Sequence, residues 1–398
     1  MKVSGLDVHK DTIFCAIYNG KTPGEVKEFL TLTACIREMG SYLQEAGVEK
    51  IAMESTGIYW VPVWNILEEM GFLLMLVNPY LIKQMPGRKS DVKDAQWIAM
   101  LLHKNLLRGS LIPCKKIREL RTFSRKYIKL QRRMTSVLQE IERTLEMCNI
   151  RITSFVTNIE SKSVLKVVKQ LVQGEVSPDL LAQCIHGRIM NRHGKKIRQS
   201  LEGFIGEHHR FNLELLLEEY ELLLHHSDRC EEEMYKLCSE QYHQELELLQ
   251  TIPGIKRLAA MLIIAETGAD MKAFENSGKF TGWTGLRPRN DESAGKFKST
   301  AITKGNRYLC SLLVQAAWAA TRTKGSFFQV KFSRLTIRKN RNKALIAIAR
   351  KVAVIIWNML YYKQSYNPDL IPIYEPEKLQ AKMNYHQKEF DRLQQLLH

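Results

Sequence analysis

Several features are missing from this 398-residue sequence, and each absence argues against a class of protein. The eight cysteines form no CxxC pair, so we expect reduced thiols rather than a cysteine zinc site or a disulfide framework. No uncharged apolar run reaches the ~18 residues of a membrane span. The longest candidate, ALIAIARKVAVIIW, carries Arg350 and Lys351 in its middle. No GxxxxGK(S/T) loop for nucleotide phosphates is present.

Acidic residues are scarce beside basic ones. The chain has 59 Lys and Arg against 42 Asp and Glu, a formal charge of +17. Such a surplus attracts polyanions, of which nucleic acid is the commonest large one, and a merely basic globular protein is the alternative. The first residues, MKVSGLDVHK, lack the apolar core of a secretion signal. We therefore expect a cytoplasmic protein with no membrane partner.

The first 112 residues alternate between strand and helix patterns, which predicts an α/β domain. Predicted strands cover Val3–Val8, Thr12–Tyr18, Val26–Leu30, 50–54 and 72–77, and predicted helices cover 32–46, Val61–Met70, Leu81–Met85 and Ala95–Leu107. The early hairpin should keep the first strand central in a mixed sheet. The unbroken apolar run FLLMLV at 72–77 is typical of a strand in a sheet that is covered on both faces.

The rest of the chain is predicted to be mainly helical. Its parts are a helical coiled-coil connector (113–250), a compact domain (251–366) and a helical tail (367–398). Amphipathic stretches at 116–148 and 205–250 are typical of a coiled coil or a helical hairpin, and we expect them to join copies of the chain. The compact domain begins at the Pro253-Gly254 turn and continues through polar loops as far as Gly305.

Four carboxylates stand where two predicted strands end and a predicted helix begins: Asp7, Glu54, Asp91 and Asp94. Strand ends of an α/β sheet gather at one edge, and residues three apart at a helix start share a face. Carboxylates that converge repel one another unless a proton or a cation joins them. The four residues therefore predict a site for Mg²⁺, with Mn²⁺ possible, that could assist phosphoryl transfer. Any one of these residues alone is better explained as a turn residue or a helix cap.

These same residues carry a family resemblance. The segments GLDVHKDT, MESTGIYW and GRKSDVKDAQWIA resemble the amino-terminal domain of the DEDD transposases, the recombinases of IS110-family bacterial insertion sequences. The stretch from TIPGIKRLAAML to LLVQAAW resembles the carboxy-terminal domain of the same family. The resemblance implies an RNase H/RuvC-like fold for the first domain. It also implies that Asp7, Glu54, Asp91 and Asp94 are the catalytic, metal-binding set.

The resemblance further implies a serine nucleophile in the second domain. The family pattern is Gly-Leu-x-Pro followed by Ser-Ser-Gly-Gly-Lys. It aligns with Gly285-Leu286-Arg287-Pro288 and NDESAGK in this sequence, and its second serine falls on Ser293. The first serine and the first glycine of the pattern are replaced by Glu292 and Ala294. Ser299 is the alternative, because the spacing downstream is one residue shorter than usual. From the residues alone, a polar loop serine is the simpler interpretation, since an isolated hydroxyl is a weak nucleophile.

Basic side chains of the second domain are predicted to contact nucleic-acid phosphates as a group. They are Arg287, Arg289, Lys296, Lys298, Lys304, Arg307, Arg338, Lys339 and Arg341. Taken singly, each is better explained as a solvated surface charge. The IPGI segment is typical of either a helix-hairpin-helix turn, which binds phosphate through backbone N–H groups, or an ordinary Pro-Gly turn.

Together these features favour a DNA transposase-recombinase that cleaves and rejoins strands through a transient phosphoserine. The resemblance implies a structured guide RNA from the element, a bacterial nucleoid-associated location, and at least a homodimer, with a tetramer as an alternative. A RuvC-like structure-specific endonuclease that uses only metal-activated water is the second hypothesis. A non-enzymatic nucleic-acid-binding protein is the third. An actin-like kinase shares the early strand pattern but would need phosphate-binding glycine loops, which the sequence lacks.

Overall fold

The computed structural model describes residues 1–55, 57–79, 91–156, 158–289, 291–293, 296–299, 301–368 and 376–395. Its contacts divide the chain into two compact units, Met1–Pro113 and Cys114–His398. The further boundaries at 250 and 366 stay predictions.

The first unit is a mixed sheet with helices on both faces. Its elements are β1 (Lys2–Val8), β2 (Thr12–Tyr18), β3 (Pro23–Leu30), α1 (Thr33–Glu45), β4 (Val48–Glu54), α2 (Trp60–Glu69), β5 (Leu73–Val77) and α3 (Asp91–His103). The strand order is β3-β2-β1-β4-β5. The pairs β1–β2 and β2–β3 are antiparallel, whereas β1–β4 and β4–β5 are parallel. This arrangement confirms the predicted RNase H/RuvC-like mixed sheet with β1 at its centre.

The alternation of side chains along β1 divides the core of the first unit in two. Leu6 and Val8 pack on one face with residues of α1 and α2. Val3 packs on the other face with α3, in a cluster that includes Ile98 and Leu102. Because neighbouring residues of a strand point to opposite faces, Gly5 and Asp7 share the α3 face with Val3.

The edge strand β5 departs from its predicted environment. The run FLLMLV predicts a strand in a sheet covered on both faces, but Leu73 is 66% exposed and only Leu76 and Val77 are buried. The reason is its position, since β5 pairs only with β4. The helix predicted at Leu81–Met85 lies outside the described residues.

The second unit is built mainly from helices. They are α4 (Lys115–Met147), α5 (Lys162–Val172), α6 (Pro178–Gln183), α7 (Gly187–Leu201), α8 (Glu207–Gln241), α9 (His243–Gln250), α10 (Arg257–Thr267), α11 (Ser277–Trp283), α12 (Arg307–Arg322), α13 (Phe327–Arg338), α14 (Arg341–Tyr362) and α15 (Pro376–Gln395). A short hairpin of β6 (Asp291–Ser293) and β7 (Lys296–Ser299) lies between α11 and α12. The polar loops predicted before Gly305 thus contain a strand pair, and α13 was not predicted from the sequence.

The two longest helices, α4 and α8, pack on each other within the chain. Asn212 Nδ2 donates to Thr144 Oγ1 over 3.0 Å, and Gln131 Nε2 donates to Ser227 Oγ over 2.8 Å, which makes the pair antiparallel. Apolar residues of both helices, including Leu130, Ile141 and Leu213, lie in one buried cluster. The predicted connector is therefore a helical hairpin, and its pairing with a second copy stays a prediction.

The helix α14 is long and apolar enough to cross a membrane by length and composition. However, 56% of its apolar window is buried inside the chain. Ile348, Val352 and Ile356 have no exposed surface. Its apolar character is thus accounted for by its position in the core of the second unit.

Candidate active site

Asp7 and Glu54 lie side by side at the carboxyl ends of adjacent strands. β1 and β4 are parallel, with Gly5 opposite Ala52 and Leu6 opposite Met53, so the next pair in register is Asp7 and Glu54. Neighbouring strands lie about 4.8 Å apart. Ala52 belongs to the cluster under α3, and the period of two puts Glu54 on that same face. The sheet therefore brings two of the four predicted carboxylates together on one face.

Asp7 is a buried carboxylate with an imidazole beside it. Its relative exposure is 6%, and its Oδ2 lies 3.2 Å from His9 Nε2. The His9 ring also packs edge-on against Phe14, with 5.9 Å between ring centroids. The backbone N–H of His9 donates to the Thr12 carbonyl, which closes the turn between β1 and β2. His9 lies in the connection of the early hairpin, and its contact with Asp7 was not predicted from the sequence.

The helix α3 directs its amino-terminal end toward this pair of carboxylates. The Tyr18 ring packs edge-on against His103, and Tyr18 is paired with Val3 at the start of β1. The carboxyl end of α3 thus lies over the start of β1, and its first turn lies toward the end that carries Asp7. Asp91 begins this helix, and Asp94 follows one turn later, half-buried.

Gly5 makes this close approach of α3 possible. A Cβ atom on Gly5 would lie 2.3 Å from the carbonyl oxygen of Ala95 and 2.4 Å from the backbone nitrogen of Ala99. Both atoms belong to the helix backbone, so any side chain at this position would push α3 off the sheet. The glycine of GLDVHK is therefore needed for the helix that carries Asp91 and Asp94 to reach the β1 end.

The donor chemistry at this edge suits a hard divalent cation, since carboxylate oxygens are the ligands that Mg²⁺ prefers. Within the described part of the chain, however, no three side chains of His, Cys, Asp or Glu come close enough to hold a metal ion. The side chain of Asp91 lies outside the described residues. The strand register brings Asp7 and Glu54 together, and a joint site with Asp91 and Asp94 stays a prediction.

The two candidate serines lie on the hairpin of the second unit. Ser293 ends β6 and pairs with Lys296, the first residue of β7. Ser299 ends β7, pairs with Asp291 and accepts a hydrogen bond at Oγ from the Ala301 N–H over 3.1 Å. The side chain of Ser293 lies outside the described residues. Ser293 stays the predicted nucleophile, and Ser299 stays the alternative.

Seven of the nine predicted phosphate-contacting residues have exposed side chains. They are Arg287, Arg289, Lys304, Arg307, Arg338, Lys339 and Arg341. The side chains of Lys296 and Lys298 lie outside the described residues. The Arg341 and Arg322 guanidinium groups each lie over the Trp318 ring, 5.0 and 4.6 Å from its centroid. Trp318 is half-buried and Phe280 is fully buried.

A broader charge pattern went unnoticed in the sequence. Residues 293–368 contain 15 Lys and Arg and no Asp or Glu. Residues 115–133, the first part of α4, contain nine Lys and Arg against the single acid Glu119. The partner helix α8 has the opposite balance, with ten acids against three Lys and Arg. A windowed charge count would have identified both basic regions.

Comparison with known proteins identifies the class and then the family. A family model described as a transposase, the DEDD transposase of IS110, matches residues 4–150. A second model, described as transposase of the IS116/IS110/IS902 family, matches residues 246–331. Both describe transposases, and together they match more than half of the chain. The chain belongs to the IS110 family of insertion-sequence transposases.

Individual relatives agree with this assignment. The transposase for insertion sequence element IS1111A of Coxiella burnetii is 23% identical over 92% of this chain and 91% of its own length. A putative transposase of Sinorhizobium fredii, y4pF/y4sB, is 24% identical over 83% of this chain and 77% of its own length. Among solved structures, RuvC of Thermus thermophilus in complex with a Holliday junction substrate covers 28% of this chain and 99% of its own, at 14% identity. Its TM-score of 0.23 is too low to support an argument.

Proposed function

We propose that this transposase cleaves and rejoins DNA strands at the edge of the sheet that carries Asp7 and Glu54. The observation that carries the proposal is the register of β1 and β4, which sets these two carboxylates side by side. Asp7 is buried and Glu54 is half-buried, and two neighbouring carboxylates repel each other unless a cation or a proton joins them. With the family assignment, a metal-dependent site for phosphoryl transfer accounts for that placement.

The residues that would hold Mg²⁺, or Mn²⁺ in its place, are Asp7, Glu54, Asp91 and Asp94. The ion would supply charge neutralisation of the phosphate and activation of an attacking oxygen. The strands hold Asp7 and Glu54 rigidly, because β1 and β4 have neighbouring strands on both sides. The first turn of α3 supplies the other two carboxylates.

The proposed nucleophile is the hydroxyl of Ser293. Its Oγ would form a bond to the phosphorus as the bond from phosphorus to the leaving deoxyribose oxygen breaks, and the hydroxyl proton would pass to that leaving oxygen. The phosphodiester energy would be kept in the phosphoserine, so no nucleotide cofactor is needed for rejoining. Exposed Arg287 and Arg289, next to the hairpin, would offset the phosphate charge.

The proposed partners are DNA and a structured guide RNA of the element. The basic region 293–368 and the first part of α4 support this proposal, since backbone phosphates are bound by Lys and Arg irrespective of sequence. These two regions are separate along the chain, and each suits a polyanion.

The proposed active form is a homodimer or a tetramer. An exposed apolar face of α8 supports this proposal. Phe211, Leu215 and Leu222 share that helix face, and they are 62%, 48% and 54% exposed. An exposed apolar stripe of this kind is typical of a surface that pairs with another protein.

The test is incubation of the full chain with element-end DNA, Mg²⁺ and the flanking transcript, followed by denaturing electrophoresis for a protein–DNA adduct. We expect the adduct with the wild-type chain and with Ser299→Ala, and none with Ser293→Ala. Cleavage without an adduct would favour the RuvC-like endonuclease, in which Ser293 has no role. Binding without cleavage, unchanged in Glu54→Gln, would favour the non-enzymatic hypothesis.

A further inference from the structure

A buried carboxylate outside the DEDD set ties three parts of the second unit together. Glu266, in the last turn of α10, has 1% of its surface exposed. Its carboxylate accepts two hydrogen bonds from Arg125 of α4, at 2.9 and 3.1 Å. Asn306, just before α12, donates a third from Nδ2 over 2.7 Å. These partners come from positions 141 and 40 residues away.

The charge of Glu266 is compensated inside the protein. Burial by itself raises the pKa of Glu266, but the hydrogen bonds from Arg125 and Asn306 outweigh it and hold the pKa below its usual value. Arg121 adds a second guanidinium, whose Nη2 donates to the backbone carbonyl of Glu266 over 2.8 Å. An ionised carboxylate with this many charge-assisted bonds is a rigid junction.

Asn306 connects that junction to the serine hairpin. Its Oδ1 caps α12 by accepting from the Tyr308 and Leu309 N–H groups, while its Nδ2 is committed to Glu266. The Asn306 N–H also donates to the Trp283 carbonyl over 3.0 Å. The residue is therefore held on two sides at the point where α12 begins.

The base of the hairpin begins one residue before this point. Gly305 lies against Gly285 so closely that a Cβ on Gly305 would be 2.3 Å from the Gly285 nitrogen. Beyond this contact, Thr303 N–H donates to the Arg287 carbonyl and Arg289 N–H to the Ala301 carbonyl. Further along the hairpin from this ladder, Asp291 of β6 pairs with Ser299 of β7, and Ser293 of β6 pairs with Lys296.

We propose that Glu266 is the positioning residue of the serine hairpin, and that it fixes the base of the hairpin to the connector helix α4 through Asn306. The role of the hairpin in chemistry rests on the proposed function, but the mechanical link does not. Because Arg125 and Arg121 lie in the basic first part of α4, nucleic acid or a partner that shifts this helix would displace the hairpin as well.

The test separates the two functions of the Asn306 side chain. Asn306→Ser keeps a good helix cap but removes the donor to Glu266. Asn306→Asp also keeps a cap but sets a second carboxylate against Glu266. Asn340→Ser is the matched control, since Asn340 caps α14 by accepting from Asn342 N–H. Hydrogen exchange is followed on the full chain without nucleic acid.

We expect the ladder amides of Arg289 and Thr303 to exchange about tenfold faster in Asn306→Ser, as for loss of a charge-assisted hydrogen bond, and faster still in Asn306→Asp. Amides in the middle of α12 should keep wild-type exchange, and Asn340→Ser should leave the ladder unchanged. Wild-type exchange of the ladder in both Asn306 variants would overturn the proposal. Equal loss of protection along α12 would also overturn it, because it would show a capping defect.

A second measurement addresses the chemistry. In Asn306→Ser, the rate of adduct formation should fall while the affinity for element-end DNA stays unchanged, as expected for a displaced nucleophile. If no adduct forms even with the wild-type chain, the proposed function fails, and the exchange result still decides the positioning role. A loss of DNA affinity with an unchanged adduct rate at saturation would contradict positioning.

Discussion

The two units of this protein place carboxylates in different surroundings. In the first unit, Asp7 and Glu54 stand side by side on one sheet face, with the imidazole of His9 beside Asp7. In the second unit, Glu266 stands alone among the guanidinium groups of Arg121 and Arg125 and the amide of Asn306. The first arrangement places two carboxylates next to each other, whereas the second surrounds one carboxylate with guanidinium and amide donors.

This difference separates a site for an external ligand from a structural junction. Gathered carboxylates gain stability when a cation arrives, because their mutual repulsion is relieved. A carboxylate already paired with two arginines is not stabilised further by a cation. Its removal leaves the two guanidinium groups without their acidic partner, which lowers the stability of the fold.

The largest effect is expected on catalysis in the first unit. Asp7→Asn should lower DNA cleavage about 10³-fold, since a metal ion supplies several kcal/mol of transition-state stabilisation. Its thermal stability should be equal to or above that of the wild type, because one of two adjacent charges is gone. The measurements are a cleavage time course and a melting curve.

The control for that prediction is Asp11→Asn, a change of the same type at an exposed position in the next turn of chain. It should leave cleavage at the wild-type rate. Equal losses in the two variants would mean that the effect of Asp7 is not specific to the site, and a large drop in stability in Asp7→Asn would make Asp7 structural.

The second effect is expected on the stability of the second unit. Glu266→Ala should lower the free energy of unfolding by about 3–5 kcal/mol, as for a buried ion pair that loses one partner. Denaturant titration measures this change. The control is Glu231→Ala, whose carboxylate pairs with Arg257 nearer the surface and should cost under about 1 kcal/mol. Similar costs for the two variants would refute the junction.

The third effect is a pH dependence of stability that belongs to Glu266. Burial opposes the lowering of its pKa, but the bonds from Arg125 and Asn306 bring the pKa below the usual 4.5. A carboxylate with a lowered folded-state pKa stabilises the fold above its unfolded pKa and loses this contribution as the pH falls through the folded value. The stability difference between wild type and Glu266→Gln should thus be constant from pH 7 to about 5 and shrink below about 4.5. Shrinkage already between pH 7 and 5 would contradict an internally neutralised carboxylate.

The smallest effect uses one buried thiol in each unit as a reporter. Burial raises the pKa of Cys15 in β2 to about 11 and that of Cys238 in α8 to about 12, each from 9.0. At pH 8 both should therefore react with iodoacetamide about 100-fold or more slowly than an ordinary thiol, with exposed Cys114 as an internal comparison. Glu266→Ala should speed the labelling of Cys238 and not of Cys15. Faster labelling of Cys15 but not of Cys238 in Glu266→Ala would contradict a role of Glu266 in the second unit.

Most of the first unit was predictable from local patterns. The strands at Val3–Val8 and Thr12–Tyr18 alternate clearly, and their short connection indicates the antiparallel pair and the central position of β1. The position of β5 at the edge was not predictable, since an apolar sequence does not distinguish a buried strand from a half-exposed one. The contact between His9 and Asp7 was also not predictable, because the sequence of a turn does not specify the direction of its side chains.

The second unit was less predictable. The amphipathic stretches indicated α4 and α8, but not that their apolar faces meet within one chain. The hairpin of β6 and β7 was interpreted as polar loops, because its strands are only three and four residues long and carry polar side chains. The helix α13 was missed, since its basic residues were interpreted only as phosphate contacts.

Local patterns specify which carboxylates can share one sheet edge, because the period of two puts Val3, Gly5 and Asp7 on one face and Asp7 and Glu54 stand at strand ends. The contact of Glu266 with Arg125 and Asn306, in contrast, depends on packing. Glu266 and Arg125 belong to two helices and Asn306 lies just before a third, and no local pattern encodes a partner that lies 141 residues away. Periodicity is a property of neighbouring residues, whereas the partners of a buried charge are set by long-range packing.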